Sequence, residues 1–246
     1  MRELEGSVAI VTGAARNIGR AIALDLADAG AAVGVVTLSD TEGAESVVGE
    51  ITARAGRAIF IQADITRPGD ARRIVEETVR RFGRLDILVN NAGVRPENPF
   101  ENITLDEWHS VLAVVLDGAF LSSQAALPAL TEGGRGAIIN IGGLTAYTGA
   151  PHRAHVITAK AGLDGFTKAL AVELAPRGIT VNLVSPGLID TKRKGGDPAH
   201  RKTRTVLAGR LGQPEDISAM VRLLAGPRGR YLTGQTIHIN GGVYLP

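Results

Sequence analysis

Residues Val8 to Gly30 read VAIVTGAARNIGRAIALDLADAG, and the fold class follows from this stretch. Val8 to Val11 is a short, wholly apolar run with the β-branched character of a buried strand. It stops at Thr12-Gly13, and an amphipathic helical pattern takes over near Ile18, with Arg20 to Gly30 as its clear span. A glycine-rich turn between a strand and a helix start is suited to hold an anion. Glycine lets the backbone approach a ligand closely, while the unpaired N–H groups and dipole of the first helical turn favour negative charge, a pyrophosphate above all. Between Gly13 and Gly19 stands Asn17, a residue that tolerates left-handed backbone, so the turn keeps its shape without a third glycine.

The alternation repeats along the chain. AAVGVV precedes a helical pattern over Thr41 to Ala55, AIFIQAD one over Ala71 to Phe82, DILVNNAG one over Leu105 to Leu130, and GAIINIG one over Ala159 to Ala175; ITVNLVSPG and QTIHINGG follow. Seven short strands alternating with helices predict an α/β fold, a doubly wound, Rossmann-like parallel seven-stranded sheet with helices on both faces. Thr104 with Glu107 forms a capping-box pattern, and Pro214 followed by Glu215 and Asp216 suits a helical first turn.

Bulk properties narrow the rest. A chain of 246 residues, 44% hydrophobic, suits a single domain over 1–246. No apolar run approaches the roughly 18 residues that span a membrane, and MRELEG lacks the apolar segment of a signal peptide. The chain has no cysteine, hence neither a disulfide framework nor a thiolate nucleophile. A net charge of +2 gives no general reason to expect nucleic acid as a partner. The expectation is a cytoplasmic protein with a small-molecule substrate and no membrane contact.

Six motifs together resemble the short-chain dehydrogenase/reductase family, and within it the 3-oxoacyl-ACP reductase-like members. They are TGAARNIG at Thr12 to Gly19, Asp64 after a strand, NNAG at Asn90 to Gly93, the helix bearing Lys160, SPGLIDT at Ser185 to Thr191, and LTGQTIHINGG at Leu232 to Gly242. The resemblance implies a nicotinamide dinucleotide held by Gly13, Arg16, Asn17, Ile18, Gly19, Thr37, Asp64, Ile65, Asn91, Ala92, Gly93, Lys160, Pro186, Gly187, Ile189 and Thr191. Asp64 would meet the adenine, Lys160 the ribose hydroxyls, and the Pro186 to Thr191 run would cover the nicotinamide. The family's NAD-selecting acid falls at Thr37, and a neutral residue there removes repulsion against a 2′-phosphate with which Arg16 can pair. Asp40 has the loose spacing of a ribose-binding acid, and family NAD enzymes also carry arginine at the place of Arg16. The cofactor is NADP or NAD, with a slight lean to NADP.

The same resemblance marks departures at the reacting end. The family's Tyr-x-x-x-Lys pair has its lysine at Lys160, but its tyrosine position holds Val156. The serine that helps hold a substrate carbonyl falls at Gly143, and the asparagine that anchors a relay water falls at Val115. Valine moves no proton. His155, next to Val156 and able to titrate near neutrality, is the nearest substitute, although neighbouring helix positions point about 100° apart. Lys160 and His155 are thus the catalytic candidates, with water or the substrate itself as other proton sources. Three readings stay open: an oxidoreductase for a carbonyl or imine with an atypical active site, a catalytically degenerate cofactor-binding subunit supporting an active relative, or a non-redox lyase or hydratase using the same pocket.

Lys192, Arg193, Lys194, His200, Arg201, Lys202 and Arg204 crowd one segment, inside the stretch of about 188–212 where the resemblance places a substrate lid. They suit either a solvated loop or a clamp on an anionic substrate. The resemblance also implies a homo-oligomer, dimer or tetramer, formed through the Leu105 to Leu130 and Ala159 to Ala175 helices and the C-terminal strand. Neither residues nor spacing imply a metal.

Overall fold

The computed structural model describes residues 2–191 and 204–246. Lys192, Arg193, Lys194, His200, Arg201 and Lys202, with the middle of the expected lid, lie outside them. Its sheet runs β1 (Val8–Thr12), β2 (Ala32–Thr37), β3 (Arg57–Gln62), β4 (Ile87–Asn90), β5 (Ala137–Ile141), β6 (Thr180–Pro186) and β7 (Thr236–Ile239). All seven are parallel, in the order β3-β2-β1-β4-β5-β6-β7. The helices are α1 (Asn17–Asp28), α2 (Thr41–Ala53), α3 (Pro68–Phe82), α4 (Leu105–Leu112), α5 (Gly118–Glu132), the short α6 (Thr145–Thr148), α7 (Ala154–Leu174) and α8 (Pro214–Ala225).

Strand alternation explains the layers. Ala9 and Val11 of β1 face one core with Ile22 and Leu26 of α1, Val47 and Ile51 of α2, and Ile217 and Val221 of α8. Val8 and Ile10 face the other core with Ile74 of α3, Leu130 of α5 and Leu174 of α7. The sheet is buried on both sides, which accounts for strand sequences that are nearly continuous apolar runs. A third, smaller apolar cluster joins Val111, Val115, Ala119, Val156, Ala159 and Leu163 to Leu183 of β6.

A buried polar chain crosses this apolar interior. Asn90 and Asn140 are opposite one another in the β4–β5 register. The Asn90 amide donates to Asn140 Oδ1 at 2.9 Å, and the Asn140 amide donates to Thr167 Oγ1 of α7 at 2.9 Å.

Three helix expectations need correction. The Leu105 to Leu130 pattern is one rod, but α4 and α5 are joined by a π-helical turn, Ala113–Asp117. Helix α7 starts at Ala154 rather than Ala159, because Arg153 at its N-cap offers no side-chain cap to announce it. The Thr104 box is half formed: Thr104 Oγ1 accepts from the Glu107 N–H at 3.1 Å, while the Glu107 carboxylate turns to Asn98 and His155.

Leu105–Glu132 also passes a length-and-composition test for a membrane span, with mean hydropathy 1.6. The length comes from the fusion of α4, the π turn and α5. Its apolar character serves packing on α3 and α7, with Leu105 and Phe120 left exposed alongside Val172 of α7.

Candidate active site

The site lies where the sheet order reverses, between β1 and β4, whose following loops diverge and leave a crevice at the strands' carboxyl ends. Thr12 and Asn91 tie the two strand ends together. Thr12 Oγ1 accepts from the N–H groups of Asn91 and Ala92 at 3.0 and 3.1 Å, and the Asn91 amide donates to the carbonyls of Thr12 and Gly13 at 2.9 and 3.0 Å. The closeness demands glycine. A Cβ on Gly13 would stand 2.9 Å from Ala92 Cα, and one on Gly19 would stand 2.2 Å from the Gly13 carbonyl oxygen. Asn17 sits at φ 51°, in the left-handed region. No side chain caps α1 at Arg16, so its first turn presents N–H groups toward the crevice.

A cavity of about 390 Å³ runs from this turn across the sheet ends, within the ~300 to 1,000 Å³ usual for ligand pockets. Gly13, Arg16, Asn17, Ile18, Gly19, Thr37, Asp64, Ile65, Asn91, Ala92, Gly93, Lys160, Pro186, Gly187, Ile189 and Thr191 all line it. Sixteen residues named from separate motifs therefore converge on one cleft. At its far end Arg16 approaches Asp40 at 4.0 Å. Asp40 is the N-cap of α2, its Oδ1 accepting from the Gly43 N–H at 3.2 Å. Asp64 Oδ1 accepts from the N–H and hydroxyl of Thr66, and Arg67 approaches Oδ2 at 3.4 Å.

The reacting end is built around Lys160. Its ammonium donates to the Ile141 carbonyl at 2.5 Å. Burial, with a smaller contribution from the positive charge of Arg95, pulls its pKa from 10.5 down to about 7. A Cβ on Gly93 would lie 3.7 Å from Lys160 Nζ and 3.8 Å from Val115 Cγ2. Val156 also lines the cavity, while both valines are 2% exposed and pack into the small apolar cluster. A Cβ on Gly143 would meet nothing within 4 Å.

His155 is not among the residues lining this cleft. It is wholly buried, with Nε2 3.2 Å from Glu107 Oε1. One helical step from Val156 turns it onto α4, as the 100° spacing requires. Missed from the sequence were Arg95, in the loop after β4, and Arg153, at the start of α7, which both line the cavity. Their only sequence signal is a basic side chain two residues after NNAG and three before Val156. Arg204 lines it too, its Nη2 donating to the Gly149 carbonyl at 2.9 Å. The ends of the expected lid are joined: Ile189 bridges Gly212, and the Asp190 N–H donates to the Gly212 carbonyl at 2.7 Å.

A family profile described as Enoyl-(Acyl carrier protein) reductase matches residues 13–244. The 3-oxoacyl-[acyl-carrier-protein] reductase FabG of Staphylococcus aureus (strain N315) is 42% identical over 240 residues, 96% of this chain and 98% of the relative. The chain belongs to the short-chain dehydrogenase/reductase family. Among solved structures, a dehydrogenase/reductase from Sinorhizobium meliloti 1021 superposes with a TM-score of 0.94 at 40% identity, covering 99% of this chain and 97% of that one. A short chain dehydrogenase from Burkholderia cenocepacia J2315 in complex with NADP superposes with a TM-score of 0.91 at 38% identity, covering 98% and 99%. The family's seven-stranded parallel architecture is thus the one found here.

Proposed function

We propose that the chain is an NADP(H)-dependent oxidoreductase acting on a carbonyl group, with Lys160 as its proton carrier. The observation that carries this reading is the single cleft that joins the uncapped start of α1, the tied ends of β1 and β4, and Lys160. A dinucleotide fits the residues present. Gly13, Gly19 and Gly187 leave backbone bare where any Cβ would collide, the last at 2.4 Å from Asn240 Cα, and the α1 N–H groups suit a pyrophosphate. Asp40, engaged as a helix cap and beside Arg16, is a poor acid for reading a ribose hydroxyl, which favours NADP. The Burkholderia relative bound to NADP supports the same choice.

When bound, the nicotinamide supplies or accepts a hydride. The chain must then handle the proton. With Gly143, Val115 and Val156 in the places of the family's serine, asparagine and tyrosine, Lys160 is the titratable group in the cleft beside Gly93. In reduction it enters as the ammonium and passes a proton from Nζ to the oxygen of the former carbonyl. A pKa of about 7 matches that task, since a general acid works best near the operating pH. His155 serves α4 packing through Glu107 instead.

The sign of the pH dependence follows. Reduction needs protonated Lys160, so kcat for reduction should fall tenfold per pH unit above about 7, while alcohol oxidation, which needs the neutral amine, rises with pH up to about 7 and levels off above it. Lys160→Arg should keep NADPH binding, measured by calorimetry, and lose this inflection, because arginine does not titrate there. A reduction rate flat from pH 6 to 9 would remove Lys160 from the proton path. The apolar cluster at Val115 and Val156 favours a second reading, a cofactor-binding subunit without turnover. NADPH binding with no oxidation across a broad carbonyl panel would select it.

A further inference from the structure

Behind the reacting wall Asn98, Glu107, His152 and His155 close a hydrogen-bonded circuit, and none of them lines the cleft. Asn98, in the loop after β4, donates its N–H to the His152 carbonyl at 2.8 Å and its side-chain amide to Glu107 Oε2 at 2.8 Å. Glu107 Oε1 lies 3.2 Å from Nε2 of His155, in the first turn of α7. An ionised carboxylate only accepts, so Nε2 is the donor and the bond is charge-assisted. The backbone from His152 to His155 completes the ring.

The circuit is held at a cost. His152 stands at φ 61°, a left-handed conformation that a residue other than glycine keeps only where its surroundings fix it. The Asn98 N–H fixes its carbonyl. His155 is wholly buried and its Nδ1 has no hydrogen-bond partner, which leaves Glu107 as the polar anchor of the ring. Glu107 makes that bond in place of the reciprocal capping bond its position after Thr104 offers. The segments so joined carry the reacting wall. Gly93, Val94 and Arg95 precede Asn98, Arg153 and Val156 stand on either side of His155, and Lys160 follows Val156 by about one helical turn; all of these line the cleft.

Resting on the oxidoreductase reading above, we propose that Glu107 is the positioning residue of the reacting end: by binding Asn98 and His155 together it clamps the loop after β4 to the first turn of α7, and so keeps Lys160 aimed and shielded from water. Without the carboxylate, both nitrogens of a buried imidazole lack a partner, so the ring must turn out or water must come in. Either change loosens the turn that leads into Lys160, and a misplacement of about 1 Å is enough to cost up to ~10²-fold in rate.

The test follows NADPH oxidation by the intact chain with ethyl acetoacetate, a simple 3-oxo ester, across the pH range, together with NADPH binding by calorimetry. A second measurement needs no turnover: trace acetylation of Lys160 over the same range, read by peptide mass spectrometry, reports where its ammonium loses the proton. Glu107→Ala should lower kcat by about tenfold to a hundredfold with NADPH affinity unchanged, since the far end of the cleft is untouched. Burial, ahead of the charge of Arg95, is what brings Lys160 to about 7, so entry of water should move both inflections upward by about one pH unit or more. Glu107→Gln can accept from Asn98 through its oxygen and donate to the other imidazole tautomer through its amide, so it should restore most of kcat and an inflection near that of the parent. Asn98→Ala cuts the circuit on its other side, should act in the same direction, and decides the matter if Glu107→Ala does not fold. Parent kcat and inflections in the alanine variants would overturn the clamp, as would a glutamine variant no better than alanine or NADPH binding that falls in step with kcat. No NADPH oxidation by the parent, with an acetylation inflection that still moves in Glu107→Ala and not in Glu107→Gln, would keep the clamp and overturn the reductase reading.

Discussion

The two ends of the cleft are made of different material. At the far end, backbone and small side chains do the work: Gly13, Gly19 and Asn17 shape a turn, and Asn91 and Thr12 lock two strand tips with four hydrogen bonds between 2.9 and 3.1 Å. At the reacting end, side chains do the work, and they are of two extreme kinds. Val156 lines the cleft from an apolar cluster that also holds Val115, while Arg95, Arg153 and Lys160 bring positive charge to the lining. Backbone-built sites tolerate few substitutions, because almost any added atom collides. Sites built from side chains can be re-lined residue by residue while the scaffold stands, and Val156 with the arginines of this chain makes such a lining.

The sharpest way to break the contrast is at the far end. Gly19→Ala puts a methyl where 2.2 Å separates it from the Gly13 carbonyl oxygen. Strain of about 3 kcal/mol or more at such a position should weaken NADPH by over a hundredfold, read by calorimetry on a variant whose circular dichroism is unchanged. Unaltered affinity would mean that the turn does not hold the phosphates.

A smaller effect is expected from rebuilding the reacting end. On the reading proposed above, Gly143→Ser, which meets open space, together with Val156→Tyr puts a pair of hydroxyl donors beside Lys160. The double variant should gain some tens-fold in NADPH-dependent reduction of simple neutral ketones, below the ~10² to 10⁴ of a fully positioned acid because, on that same reading, Val115 offers no group to relay a proton. A folded, NADPH-binding double variant with no gain would show that the shape of the pocket, and not its donors alone, disfavours such ketones. Smallest of all is Arg16→Ala. The side chain is 65% exposed, so its contact with a 2′-phosphate is worth about 1 kcal/mol, roughly fivefold. NADPH affinity should drop by that factor with NADH unchanged; equal losses would show that Arg16 does not read the phosphate.

What was legible in the sequence divides along the same line. Strand count, parallel pairing and the glycine turn are written locally, in runs of a few residues whose meaning does not depend on distant partners. The start of α7 was not, because Arg153 is no capping residue and His155-Val156-Ile157-Thr158 carries three β-branched side chains that weaken a helical pattern. Nor was the π turn at Ala113–Asp117, since one extra residue in a uniformly apolar helix leaves no mark on hydropathy. The sixteen lining residues were found because each lies in a short motif or at a fixed spacing along the chain that can be read without knowing its distant partners. Arg95 and Arg153 were not, because each reaches the cleft from a loop that carries no motif, and the two loops come together only in space, through Asn98 and His152. His155 looked well placed only in one dimension.

The amide chain from Asn90 through Asn140 to Thr167 works as a gauge block. A strand pair slipped by one residue would face these amides with carbon, at about 1 to 3 kcal/mol for each buried group left unmade. The chain therefore sets, in whole residues, how far β4 and β5 protrude and at what height α7 stands against them. The loop after β4 that carries Gly93 and Arg95, the Ile141 carbonyl at the tip of β5, and Lys160 on α7 are all measured from that mark. Their alignment is inherited from the interior, not negotiated at the surface, so the lining of the cleft can change without losing its place.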